Sequence, residues 1–351
     1  MTEILSPSSP LEAASALAAA SAAGASVAVV GGGTRSRRGR PGPAPDRELR
    51  TGAMRRVLAH EPGDLTVTVE GGLAAAELTE LAATAGQGWP QAEIRPGSTV
   101  GGVLAAAASG RERLRSGAVR DSLLEVVLAT GDGRLVTAGG RTVKGVSGYD
   151  IPRLAVGSLG TLGVIVQATL KLWPVPAASG WFGAEAPLRE RLDIVARALA
   201  GPARPASVLL APGAVALELT GPEEDVRAPD GMAALDAPPP APAGRGLLEA
   251  GVPPTRLGDL VARLEDARLG YEARMGVGTC LVAVESPEDV ERARGWALAL
   301  GGHAQVVDGP DELRADPWGP PPPGLELMRR LRAAFDPAGV LNRRMLLWEE
   351  R

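Results

Sequence analysis

The chain has 351 residues, a formal charge of −4, 45% hydrophobic and 22% charged residues. That composition excludes disorder throughout, suits two domains of ordinary size, and argues against a nucleic-acid binder, for which a basic domain is expected. One cysteine, Cys280, and two histidines, His60 and His303, exclude a disulfide framework, a cysteine-held cluster and a multi-histidine metal site within this sequence, so no metal is expected. Only Lys144 and Lys171 are lysines among 37 basic residues, and Asn342 is the sole asparagine. Against so strong an arginine, alanine, glycine and proline bias, a surviving Lys, Asn or Tyr carries information.

The first residues, MTEILSPSSP, hold an acid (Glu3) and no basic run, so no secretory leader is expected and the cytoplasm follows. Residues 13–34 are uncharged, yet they are mostly Ala, Ser and Gly, which reads as helix, turn and strand and not as a membrane span. The spacing predicts an alanine-rich helix over 11–23, closed by Gly24, and a buried strand over 27–30 stopped by Gly31-Gly32-Gly33. Strands are expected at 57–58 and 65–69, where TVTV alternates, then a helix over 73–85. Further strands are expected at 123–129, 135–138, 154–156 and 164–172, which makes an α+β domain to about Pro174. Beyond it come a helix over 188–200, strands at 208–210 and 215–219, and an Ala/Pro-rich linker over 221–254. A helix over 257–268, a strand over 278–284 and a helix over 287–300 follow, then a proline-stiffened linker over 316–324 and a last helix over 325–335.

Three glycine-rich segments carry the chemistry. In VAVVGGGTR, 27–35, a strand runs into three glycines, so backbone N–H groups can converge on a pyrophosphate with no Cβ in the way. The spacing fits neither the dinucleotide fingerprint nor the P-loop, and a tight surface turn is the alternative. The arginines that follow, Arg35, Arg37, Arg38 and Arg40, read as a solvated run. PGSTVGGVLAAAASG, 96–110, could wrap a flat or phosphorylated ligand, or form a small-residue helix packed on a sheet. KGVSGYDIPRLAVGSLGTLGVIVQATLKL, 144–172, has glycines at 157, 160 and 163 ahead of a strongly apolar strand, with a bulged hairpin as the alternative reading. Valine at Gly32 or Gly102 is expected to fill space through which a ligand passes.

Taken in order, GGGT, PGSTVGG…ASG, GAVRD and K-x-V-x-GYD-x-x-RL-x-x-GSLGTLGVI resemble the FAD-binding half of the vanillyl-alcohol-oxidase (PCMH-type) flavoproteins. The tail FDPAGVLN, 335–342, resembles the segment by which that family returns to its flavin domain. Within the family the short chain, the GSLGTLG motif and the Trp296…GGHA segment are most similar to the FAD-binding E subunits of bacterial glycolate oxidase (glycolate dehydrogenase). Val30 stands where the family often has Arg, Gly145 where Asn commonly follows the lysine, and Leu159 where the larger 2-hydroxyacid dehydrogenases carry Glu.

The resemblance implies a PCMH-type domain of two α/β subdomains over 1–174, a smaller α+β cap over 175–330, and a tail, 331–351, that returns to the first domain. It implies that Val30, Gly31, Gly32, Gly33, Thr34 and Arg35 hold the FAD pyrophosphate. Pro96, Gly97, Ser98, Thr99, Gly101, Gly102, Ser109 and Gly110 would line the rest of the cofactor. Gly117, Arg120 and Asp121 would form the next contact loop, Gly163, Val164 and Ile165 would sit by the adenosine end, and Asn342 would close the site. With no histidine or cysteine beside these loops, the FAD is expected to be non-covalent. The implied reaction is hydride transfer from a 2-hydroxy acid such as glycolate to the flavin, with a base taking the hydroxyl proton. His60 reads as structural. His303, in the cap, is the candidate catalytic residue, with a structural role as its alternative. Lacking cluster cysteines, the chain is expected to pair with a larger flavoprotein and an iron–sulfur subunit, peripheral to the membrane, through an exposed apolar patch. A free-standing flavoenzyme and a non-catalytic assembly or electron-transfer subunit are the alternatives.

Overall fold

A computed structural model describes residues 1–140 and 149–345; Lys144 and Gly145 lie outside the described residues. The fold is mixed α/β, as the sequence implies, and rests on three main sheets. The first is a small parallel sheet in the order Glu3–Leu5, Arg47–Arg50, Val27–Val30. The strands EIL and RELR are short and lack alternation, which hides them from a periodicity reading.

The helix Pro10–Ala23 starts where Ser9 accepts a hydrogen bond from the Glu12 N–H, and it ends at Gly24 in the left-handed conformation (φ 64°). It buries Ala13, Leu17 and Ala20 among Val27, Leu49, Val164 and Val166, so it wedges between the first sheet and the second. The second sheet is antiparallel, in the order Val57–Glu61, Thr66–Glu70, Val164–Lys171, Leu123–Ala129, Leu135–Gly139. Its other face packs on the helices Ala75–Ala83 and Val100–Ala105 through Leu78, Val103 and Leu104. Val164–Lys171 is buried at six of eight positions, which explains its almost unbroken apolar run.

The third sheet has eight antiparallel strands, from Ala233–Leu235 at one edge to His303–Asp308 at the other. The helices Leu257–Asp266 and Pro287–Ala299 bury Leu257, Leu260, Val261, Leu264, Val290 and Ala297 in the same core. Arg191 is buried there too, donating to the Ala186 and Ala211 carbonyls at 2.8 and 2.9 Å and to Glu265 at 2.6 Å. Full pairing is what makes a buried guanidinium tolerable.

Three expectations are corrected. Residues 154–156 do not form a strand: most of them belong to the helix Ile151–Ala155, because the Asp150 side chain accepts from the Arg153 N–H and Pro152 fits a first turn. The span 221–254 is not a linker throughout, since Gly246–Gly251 is an inner strand between Thr279–Val284 and His303–Asp308, its burial alternating along GLLEAG. The stretch 316–324 is also tied down: the Val306 N–H donates to Pro317 O at 2.8 Å, Arg294 donates to Asp316 O at 2.7 Å, and Trp318 is buried.

Candidate functional site

Two adjoining clefts, of about 100 and 70 Å³, lie where the glycine segments meet. The first is lined by the whole loop from Val30 to Arg35, with Thr99, Gly102, Ala105, Ala106, Leu159 and Asn342. The second shares Gly31, Gly102, Leu159 and Asn342 and continues along Gly101, Gly160, Gly163, Val164 and Ile165. Three separate sequence motifs and the tail thus form one groove.

The glycines do different jobs. A Cβ on Gly32 would lie 1.6 Å from the Gly97 carbonyl oxygen, and one on Gly31 would lie 2.3 Å from Thr99 Oγ1. Both are therefore needed for loop-on-loop packing, which corrects the expectation that Gly32 faces ligand space. A Cβ on Gly102 meets only Thr99 Oγ1, at 3.0 Å, and one on Gly33 (φ +69°) meets nothing within 4 Å. These two face the open groove. Among the described residues, the backbone N–H groups of Gly32, Gly33 and Thr34 make no hydrogen bond within the chain. Unpaired backbone donors in a glycine loop that lines the groove suit a pyrophosphate, so the residues present fit FAD.

The tail completes the groove. Phe335 packs beside the core between the second sheet and the helices Ala75–Ala83 and Val100–Ala105, and buried Asp336 accepts from the Val340 and Leu341 N–H groups at 3.0 and 2.9 Å. Val340 and Leu341 are fully buried, and Leu341 bridges Val27 in parallel. Asn342 then accepts from the Val29 N–H at 2.7 Å and donates to the Leu159 carbonyl at 2.6 Å. One amide thereby ties the strand that enters GGGT to the GSLGTLG loop.

Around the groove, Ser98 is buried and approached by Thr34 Oγ1 and Arg35 Nη1, each at 3.4 Å, while Pro96 and Gly97 are exposed at the loop surface. Ser109 and Gly110 lie further on, in two cavities facing the third sheet. Gly117, Arg120 and Asp121 line none of these cavities; Asp121 accepts from the Ala118 N–H at 2.9 Å and pairs with Arg120 at 3.6 Å, closing its own turn. His303 is exposed on the edge strand, opposite Gly251, and also lines none of them. His60 sits 3.2 Å from Gln87 Oε1 on an edge strand, a structural position.

The arginine run is not a solvated one. The side chains of Arg35 and Arg38 are only 8% and 10% exposed, against 68% for Arg37. Arg35 donates to Glu93 O at 2.8 Å and Arg38 to Ala106 O at 2.9 Å. Burial pulls the Arg35 guanidinium down to about 10 against the opposing charge of Glu93, and Arg95 and Arg38 add to the fall. Burial works to raise Glu93, but Arg95 and Arg35 outweigh it and hold the carboxyl below its ordinary value. Sequence reading missed Val29, Leu159 and Gly160 as groove residues, and from the third sheet it named only His303. Leu159 had a signal, a bulky residue inside a glycine run; it adopts φ +53°.

Comparison with known proteins agrees with this geometry. Residues 2–139 match the family described as "FAD binding domain". The chain is 32% identical over 176 residues to the glycolate oxidase subunit GlcE of Escherichia coli, covering half of each protein. It is 37% identical over 126 residues to a mitochondrial D-lactate dehydrogenase [cytochrome] of Arabidopsis thaliana, covering 36% of this chain and 22% of that one. The matches span half or less of these relatives' lengths. Among solved structures, an alkyldihydroxyacetonephosphate synthase superposes over 96% of this chain and 75% of its own, with a TM-score of 0.68 and 15% identity, which speaks to fold alone.

Proposed function

We propose that this chain, with its FAD-binding domain, is the flavin-holding subunit of an enzyme that oxidises a small 2-hydroxy acid, glycolate being the leading candidate. The observation that carries the reading is the groove itself, where GGGT, PGSTVGG, GSLGTLG and Asn342 converge. The likeness to a glycolate oxidase subunit over half the chain supports the substrate class. In this reading residues 1–174 and the tail form the flavin unit, and 175–330 form the cap.

FAD, when bound, supplies the two-electron acceptor. The chain's own part is positional. The N–H groups of 32–34 hold the pyrophosphate, Gly102 leaves room beside it, and Asn342 keeps the two flanking loops together. With no histidine or cysteine in the groove walls, the cofactor is held without a covalent bond. No histidine from the cap reaches the cavities, so the base that removes the substrate's hydroxyl proton is assigned to a partner flavoprotein, and an iron–sulfur subunit carries the electrons on. The helix Leu325–Phe335 supports partnership: Leu327 is 57% exposed, and Met328 lies exposed beside it on a cavity of about 270 Å³. Among the described residues no helix is long and apolar enough to cross a membrane. A cytoplasmic position, peripheral to the membrane through partners, is the reading we favour.

Purification tests this directly. The chain should come out yellow, release its flavin on acid precipitation, and co-purify with a larger flavoprotein and a cysteine-rich protein encoded nearby. Flavin left in the acid pellet would overturn non-covalent binding. A monomer turning over glycolate steadily would overturn the subunit reading and return His303 to consideration.

A further inference from the structure

Between the glycine loops and the third sheet lies a cleft of about 40 Å³ walled by Arg38, Arg95, Arg113, Arg274, Glu93 and Glu249. It adjoins a wider cavity of about 620 Å³ that shares Glu93, Arg95 and Arg274 with it. The local charges do not cancel. Glu93 is shared by Arg35 at 3.4 Å and Arg95 at 2.7 Å. Glu272 is shared by Arg111 at 2.5 Å and Arg274 at 3.1 Å, and Glu249 meets Arg38 at 3.6 Å. Five guanidiniums therefore lean on three carboxylates and Arg113 is a sixth, while Glu112 and Glu218 on the wall of the wider cavity bring the carboxylates to five, both pushed toward the neutral form by burial. The nearby pair Arg120 and Asp121 cancels itself.

Arg113 is the odd one out. It is half-buried, and among the described residues its side chain makes no hydrogen bond and no ion pair. Burial lowers its affinity for the proton, and the repulsion of Arg120 and Arg274 adds to the fall, which the charges of Glu249 and Asp121 offset only in part. Across the same cleft, Thr279 Oγ1 is buried and has no hydrogen-bond partner. A polar group shut away from water without a partner is costly, so the buried Thr279 hydroxyl, sharing one cleft with a half-buried guanidinium that makes no hydrogen bond, points to a ligand that satisfies both. A guanidinium calls for an oxyanion, and a carboxylate matches its fork in two parallel hydrogen bonds.

We infer that Arg113 and Thr279 form the recognition point for the carboxylate end of a small hydroxy acid, with Arg113 the specificity-determining residue. The inference rests on the proposed function and deepens it by naming which residues select an anion. Arg274 stands close enough to add long-range attraction, but it is already engaged by Glu272 and by the Ser109 carbonyl at 2.8 Å. Arg35 reaches from the flavin groove to the Glu93 backbone, so the recognition point adjoins that groove.

Titration calorimetry on the purified flavin-loaded chain, with glycolate and its neutral amide glycolamide as probes, reads this site without turnover. Glycolate should bind at least tenfold more tightly than glycolamide. Arg113→Met should bring glycolate down to the glycolamide level, Arg113→Lys should restore part of the difference, and Thr279→Val should weaken both probes severalfold. Flavin absorbance per chain is measured in each sample and should not change. Equal binding of the two probes, or wild-type glycolate affinity in Arg113→Met, with flavin content full, would overturn the inference while leaving the flavin reading intact. A chain that holds no flavin would overturn the proposed function instead, and the same pair of probes on the flavin-free chain would still decide for or against an anion site. Should Arg113→Met not fold, the two probes on the wild type and on Arg113→Lys decide between the outcomes.

Discussion

The flavin groove and the cleft beneath the third sheet are neighbours built on opposite principles. In the groove, contact is backbone against backbone: Gly32 approaches Gly97 so closely that no side chain fits, and side-chain chemistry is nearly absent. In the cleft, long arginines reach across a gap to shared glutamates, and the two parts of the fold meet through charge. The first arrangement tolerates almost no change of residue type; the second tolerates changes of position but not of charge. Substitutions should therefore fail differently on the two sides.

Gly32→Val should have the largest effect. Its Cβ meets a carbonyl oxygen, so the loops must part, and both flavin retention and thermal stability should fall sharply. Gly102→Val should lose flavin while keeping a near-normal melting temperature, since its Cβ meets only one hydroxyl. Flavin absorbance and thermal unfolding measured together separate the two; parallel losses of stability would erase the distinction drawn between packing and cofactor-facing glycines.

On the charged side, Glu272→Gln removes a carboxylate that is 2% exposed and leaves Arg111 and Arg274 without their shared counter-ion. Urea unfolding should show a loss of ~3 kcal/mol, the scale of a broken buried pair. An unchanged midpoint would show that water, not Glu272, balances those arginines. Asn342→Ala is the matched test in the groove, removing two hydrogen bonds from backbone groups at its wall. It should cost ~1–3 kcal/mol and weaken flavin binding at the same time.

The smallest effect concerns pH. The Glu218 carboxyl, on the wall of the wide cavity, is pushed up to about 7, first by burial and then by the charge of Glu112. The folded chain holds this proton more tightly than the unfolded chain does. Its contribution to stability is full below the ordinary glutamate range and is lost as pH rises to about 7. Glu218→Gln should therefore gain on wild type as pH climbs through that window, by less than ~1 kcal/mol because the group is part-exposed. A difference that stays constant from acid to neutral pH would rule this titration out.

How much of this was legible in the sequence follows the same divide. The glycine motifs were readable because steric exclusion leaves few substitutes, and Asn342 stood out as the sole asparagine. The helices Pro10–Ala23 and Pro287–Ala299 carried their own caps, Ser9 and Ser286. By contrast Arg113, on the short helix Arg113–Ser116, is brought to the neighbouring strands that carry Glu272 and Thr279 only through tertiary placement. Nothing local marks Arg38 as buried and Arg37 as exposed. Gly246–Gly251 was hidden because small residues around a proline run resemble a linker until sheet neighbours are known.

The Asn342 clasp also sets an order of events during synthesis. It joins residues 313 positions apart, Val29 to Asn342. At ~5–20 residues per second, the ribosome needs roughly 15–60 seconds to make the intervening chain. Throughout that interval the GGGT loop is already outside or emerging, while the residue that fastens it to its opposite wall does not yet exist. The groove is consequently complete only once the tail has emerged, and a chain that stalls before Asn342 is added has every glycine motif in place and one wall of the groove unfastened.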